Sequence, residues 1–150
     1  MNKLNFILLL FPIILLSTEV IQEDLVGVWH GQHDGEYGYF TFDSSGYVTL
    51  QYKGLKAGGK EFEAEGEKAQ VSYKLIADYD PMHLDIIVTK LESGEEIVLK
   101  CLIKFINADS LLFAAGFDGN RPTSFEDESK VMGFSRVNKF KTRENVVPKH

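Results

Sequence analysis

Residues 36–53 read EYGYFTFDSSGYVTLQYK. Apolar and polar positions alternate on both sides of Asp43-Ser44-Ser45-Gly46. Phe40 and Phe42 fall on one face of the first arm, and Val48, Leu50 and Tyr52 fall on one face of the second. A period of two is the pleat of a half-buried strand. The Asp-Ser-Ser-Gly run supplies turn chemistry between the arms. The stretch is therefore a β-hairpin with one apolar side.

The same pattern extends in both directions. Residues 25–33 read as the first strand, 69–78 as the fifth, and 82–91 as the sixth after the break at Asp80-Pro81. Residues 95–106 read as the longest strand, 110–115 as the eighth, and 131–138 as the last. Residues 60–65, KEFEAE, alternate but are polar, which suits an edge strand or a protruding hairpin. Glu61, Glu63 and Glu65 share one face there. A charged face guarding an edge explains them, and a metal site is the sharper alternative.

The predicted inward sets continue with Val71, Tyr73 and Leu75, with Leu84, Ile86 and Val88, with Ile97, Leu99, Cys101, Ile103 and Phe105, and with Leu111 and Phe113. No long apolar stripe of helical period interrupts them; one helical turn within 123–129 is the most the sequence suggests. Short strands with short turns point to an all-β barrel or sandwich, and closure, which removes edges without a disulfide, favours an up-and-down antiparallel barrel of about eight strands over residues 25–138.

Outside the barrel, residues 6–16 read FILLLFPIILL after Lys3. Eleven apolar residues suit a signal peptide and fall short of the roughly 20 needed to span a bilayer. Residues 1–18 are thus expected to be a removable signal, with cleavage between 17 and 22. Secretion or a periplasmic location would follow, with no integral membrane span after processing. No cysteine follows the run to carry a lipid anchor. Residues 139–150 carry four basic and one acidic side chain and read as a flexible basic tail.

The chain has a net charge of −6. Removing residues 1–18 takes away Lys3 and no acid, so the remainder is more acidic still. Such a chain has no electrostatic footprint for nucleic acid. Cys101 is the one cysteine, so no internal disulfide is possible, and a buried small hydrophobe is the natural reading.

The last strand places Arg136 on the same face as Met132 and Phe134. An inward charge needs a partner. If the last strand returns beside the first, the guanidinium can lie on the indole of Trp29, within about 6 Å. Gly27 would leave room beside the ring. Gly27, Trp29 and Arg136 are therefore the expected closure of the barrel. A plain core role for Trp29 with Arg136 exposed is the alternative.

Gly27-Val28-Trp29 with Arg136 on the last strand resembles the lipocalins. The series Leu25-Val26-Gly27-Val28-Trp29, Tyr73-Lys74-Leu75, Pro81-Met82-His83-Leu84-Asp85-Ile86, Asp109-Ser110-Leu111-Leu112-Phe113 and Arg121-Pro122-Thr123-Ser124-Phe125 resembles the secreted lipocalin-like domain family of planctomycete bacteria. The resemblance covers residues 25–137. It departs at Lys100-Cys101-Leu102-Ile103-Lys104-Phe105, where that family has glycines and an Ile-Tyr pair, and at the acidic segment 60–68. It implies a lipocalin-like barrel and carries no catalytic residue, because the family has no established general activity.

Catalytic and metal patterns are absent from the sequence. His30 and His33 are three apart and would point to opposite faces of a strand. Asp78, Asp80 and Asp85 lack the glycine and distal glutamate of a calcium loop. Asp118-Gly119-Asn120 is a turn signature. No enzyme activity, cofactor or metal is expected.

A binding module is the leading reading. Phe40, Phe42, Tyr52, Tyr73 and Phe113 would line an interior pocket for a small apolar ligand. Arg121, in a long loop before the last strand, could meet an anionic group above the mouth. Alternatively Phe125 plugs the barrel while Arg121 bonds loop carbonyls. The competing function is a filled barrel that serves as a scaffold for a protein partner the sequence does not identify.

Overall fold

The computed structural model describes residues 18–33 and 35–137. The expected signal segment (Thr18 aside), the expected basic tail and His150 lie outside the described residues. Ten elements follow in order: helix α1 (Thr18–Leu25), then strands β1 (Gly27–His33), β2 (Glu36–Phe42), β3 (Val48–Tyr52), β4 (Leu55–Ala64), β5 (Glu67–Ile76), β6 (Met82–Lys90), β7 (Glu96–Asn107), β8 (Ser110–Ala115) and β9 (Val131–Arg136). Each strand pairs antiparallel with the next, and β9 pairs antiparallel with β1 to close the barrel.

The barrel has nine strands rather than about eight, and β4 accounts for the difference. A ring in which every neighbour is antiparallel closes only with an even number of members. Nine alternating strands would bring β1 and β9 together in parallel. They are antiparallel because β4 turns back on itself. Its first half pairs with β3, from Tyr52↔Leu55 to Thr49↔Gly58. Its second half pairs with β5, from Gly59↔Val71 to Ala64↔Glu67. Between the halves Gly58 and Gly59 hold φ of +107° and +78°. A side chain at Gly58 would place its Cβ 2.4 Å from the Val48 carbonyl oxygen. Below this bend the residue preceding β3 meets β5 directly, through the isolated bridge Tyr47↔Ser72. One end of the barrel, the base, is thus a ring of eight, and the other end, the mouth, is splayed by the two arms of β4.

The KEFEAE segment is therefore the second arm of β4, in the wall and paired with β5. Its glutamates meet lysines: Glu61 lies 3.0 Å from Lys68, and Glu65 lies 3.2 Å from Lys90. Lys90 also reaches Glu95 at 2.8 Å, tying the β4–β5 turn to the β6–β7 turn.

Helix α1 sits at the base and spans the expected cleavage region, residues 17 to 22, from Thr18 onward. Leu25 at its end is fully buried. Leu25 accepts a hydrogen bond of 2.8 Å from the Trp29 indole N–H through its backbone carbonyl. No helix forms within 116–130. No helix among the described residues is long and apolar enough to cross a membrane.

Candidate functional site

Inward residues from the base upward show where the barrel is full. Val48 and Phe42 are buried, Leu50 and Phe40 are half-buried, and Tyr52 is 37% exposed. The gradient runs along β2 and β3 toward the mouth. At the base Phe42 meets Tyr73 edge to face at 4.9 Å, and the Tyr73 hydroxyl donates to the Asp43 carbonyl at 2.7 Å. Burial, with the Asp43 carboxylate second, pushes the Tyr73 phenol above its ordinary value. Phe113 packs 5.5 Å from Phe40 and 5.8 Å from Phe134. Phe42, Tyr73 and Phe113 are thus buried in the core, Phe42 against Tyr73 and Phe113 against Phe40 and Phe134.

Above them the filling stops. Gly31, Gly38, Phe40, Leu50, Tyr52, Met132 and Phe134, together with Gln32, Tyr39 and Gln51, line a cup of about 220 Å³ whose accessible surface is almost wholly apolar. Two glycines shape it in different ways. Gly31 and Gly38 are register partners across β1 and β2, both facing inward. The Phe134 ring occupies the space a Gly31 side chain would need, 2.8 Å from that Cβ position. Gly38 has only ordinary contacts near its missing Cβ, the nearest a Tyr52 ring carbon at 3.5 Å. Of the interior residues picked out from sequence, Phe40 and Tyr52 border the cup. Gly31, Gly38, Leu50, Met132 and Phe134 add the other inward positions. Their signal was present, since each has inward parity, but parity does not say where a glycine leaves a hole.

Arg121 does not reach the mouth. The loop of residues 116–130 folds over the outside of the wall. Gly116 N–H donates to the Lys100 carbonyl at 2.9 Å. The Arg121 guanidinium donates to the Cys101 carbonyl at 2.6 Å and pairs with the Asp85 carboxylate. Leu102 and Ala114, paired across β7 and β8, alternate with inward residues and so point outward, yet both are buried. Arg121 is thus bound to strand groups. It neither caps the mouth nor bonds loop carbonyls. His83, stacked on Tyr79 at 3.9 Å, lies beside it; burial first and the Arg121 charge second lower its pKa.

The base is closed by the three expected residues. Arg136 sits 4.1 Å from the Trp29 ring centre. Its guanidinium donates to the carbonyls of Val26 at 2.8 Å, Ala108 at 3.1 Å and Asp24. A Cβ on Gly27 would fall 2.7 Å from the Arg136 Nη1.

Other hollows differ from the cup in chemistry, among them one of about 370 Å³ bordered by Gln22, Glu23, Val26 and Ser44. One of about 510 Å³ surrounds Arg136, whose donors are already engaged. One of about 230 Å³ lies under the 116–130 loop, where Lys130 faces Asp127 at 3.7 Å and Asp118 at 3.9 Å. Among the described residues no three His, Cys, Asp or Glu side chains converge as a metal would require. Cys101 is fully buried, and burial pushes its thiol up to about 12.

These features define a closed antiparallel β-barrel with a filled base and an apolar cup at its mouth. The solved structure of Treponema pallidum Tp0751 (Pallilysin) is similar to it, with a TM-score of 0.47 and 15% identity, over 79% of this chain and 82% of that one. No family model matches the chain, and no curated protein matches it.

Proposed function

We propose that the protein is an exported, non-catalytic binding module whose cup takes one small apolar group. The cup itself carries this reading. An apolar cavity of about 150 Å³ stays dry and accepts benzene, and this one holds about 220 Å³. That is room for a single ring or the end of a short chain, not for a whole large ligand, which would bury most of its surface in about 300–1,000 Å³. The ligand would therefore insert one end and leave the rest in solvent. A surface with almost no polar atoms offers no general acid, base or nucleophile, so binding is the chemistry it supports. Export rests on the apolar run at residues 6–16, and the resemblance to lipocalin-like domains favours the same role.

The test is a fluorescence titration with Nile red, followed by displacement with naphthalene and with short alkanols. Saturable binding is expected, and Gly38→Leu should weaken it at least tenfold. The neighbours of the missing Cβ tolerate a side chain there, so the thermal midpoint should hold. Saturable binding indifferent to Gly38→Leu, or no saturable binding, would overturn the cup. The filled interior formed by Phe42, Tyr73 and Phe113 favours the second reading, a scaffold, which would show a protein partner and no small-molecule binding.

A further inference from the structure

Charge is spread unevenly over the outer wall. Outward positions of β5, β6 and β7 include Lys68, Lys74, Asp85, Glu96, Lys100 and Lys104. On β9, β1, β2 and β3 the outward positions are 131, 133 and 135, then 28, 30 and 32, then 37, 39 and 41, then 49 and 51. None of them is Asp, Glu, Lys or Arg. Charge resumes at Lys56 of β4, opposite Gln51. A quarter of the chain is charged, so four adjacent strands without a charge make a chemically distinct face.

An aromatic group occupies its centre. The His30 ring lies 5.4 Å from Tyr37 and 6.2 Å from Tyr39. Tyr37 is 52% exposed and Tyr39 is 37% exposed. Register places Gln32 opposite Tyr37, and Gln51 opposite Tyr39. Thr41 follows on the same face of β2, and Gln32, Gln51 and Thr41 are all exposed. Exposed rings are thus flanked by amides and hydroxyls, groups that donate and accept without carrying charge.

We propose that this face binds a neutral glycan. A sugar ring presents an apolar C–H face, which rests on an aromatic plane, and a rim of hydroxyls, each needing a partner once water leaves. Neutral amides and hydroxyls supply those partners. Charged side chains would lose hydration against a neutral ligand with no opposite charge in return. Nucleic acid would also stack on tyrosine, but its phosphates need cations, and this face has none. A protein partner would need an apolar centre that sheds water. Here the rings stand among Gln and Thr. Gln32, Tyr39 and Gln51 also border the cup, so the face and the cup share an edge, and Tyr37 and Thr41 belong to the face alone.

Affinity electrophoresis of the full chain tests this, through gels containing soluble β-glucan, α-glucan, mannan or galactan, with polygalacturonate as the charged comparison. Retardation by at least one neutral polymer is expected. The Tyr37→Ala/Tyr39→Ala double variant should migrate freely while keeping its thermal midpoint and circular dichroism spectrum. Gly38→Leu, in the cup, should be retarded as the unmodified protein is. No retardation by any neutral polymer, retardation by polygalacturonate alone, or equal retardation of the double variant overturns the proposal. A concentration-dependent dimer that Tyr39→Ala abolishes, without retardation by neutral polymers, would assign the face to a second copy instead.

Discussion

The Arg136 guanidinium lies 4.1 Å from the centre of the Trp29 ring, across the seam where the last strand meets the first. The backbone stitches the same seam, since Val137 N–H donates to the Val28 carbonyl at 2.8 Å. One side chain thereby joins β9, the approach to β1 at Asp24 and Val26, and the β7–β8 turn at Ala108.

Arg136→Lys keeps the charge but loses the planar fork. A lysine ammonium is a point charge, and it cannot stack flat while serving three carbonyls. The variant should lose about 2 kcal/mol, since hydrogen bonds to charged groups contribute roughly 1.5–3 kcal/mol. Urea denaturation measures it. A loss under about 0.5 kcal/mol, within the usual range for surface changes, would mean the fork contributes nothing beyond its charge.

Gly58→Ala should destabilise by about 2 kcal/mol or more. A non-glycine residue held at positive φ costs on the order of 1–3 kcal/mol, and here the new Cβ also meets the Val48 carbonyl at 2.4 Å. Gly133 has open space at its Cβ position, so Gly133→Ala is the control and should be neutral or stabilising. Equal thermal midpoints for the two variants would show that β4 does not need its sharp bend.

Stability should fall on the alkaline side. Cys101 is raised from an ordinary 9.0 to about 12, and Tyr73 is raised from 10.0. Both groups hold their protons more tightly when folded. As pH rises the unfolded chain releases protons first, which favours unfolding. The stabilisation is whole below pH 9 and is lost from there toward pH 12. Urea midpoints should therefore decline above pH 9, and less steeply in Cys101→Ala. A flat profile to pH 11 would contradict the burial of both groups. In the native state Cys101 should also resist thiol reagents at pH 8 and react once urea unfolds the chain.

Asp85→Ala should free the 116–130 loop without unfolding the barrel. Arg121 would lose its carboxylate and keep the Cys101 carbonyl. Limited proteolysis within the loop should quicken several-fold while the thermal midpoint moves little. Unchanged cleavage would show that the remaining backbone bonds hold the loop alone.

Alternation in the sequence carries every inward set, because the pleat ties parity to face. It carries Arg136 to Trp29 as well, because an inward charge demands a partner and only closure of the ring brings the first strand to it. Parity could not reveal the bend in β4. Leu55-Lys56-Ala57-Gly58-Gly59 reads as a break in the pattern, and only the ladders to β3 and β5 show one strand with two directions.

What the residues of this chain determine alone is which side of each strand is wet, and hence that the strands enclose one apolar interior; closure into a barrel is the work of the β1–β9 pairing. Depth along the barrel axis is different. Whether Phe42 is core and Phe40 is cup depends on how far each lies from Gly31, Gly38 and the arms of β4. The same holds for Arg121, which lies against the outer wall because strand carbonyls and Asp85 satisfy its donors there. Such distances run between strands remote in sequence, and packing in three dimensions decides them.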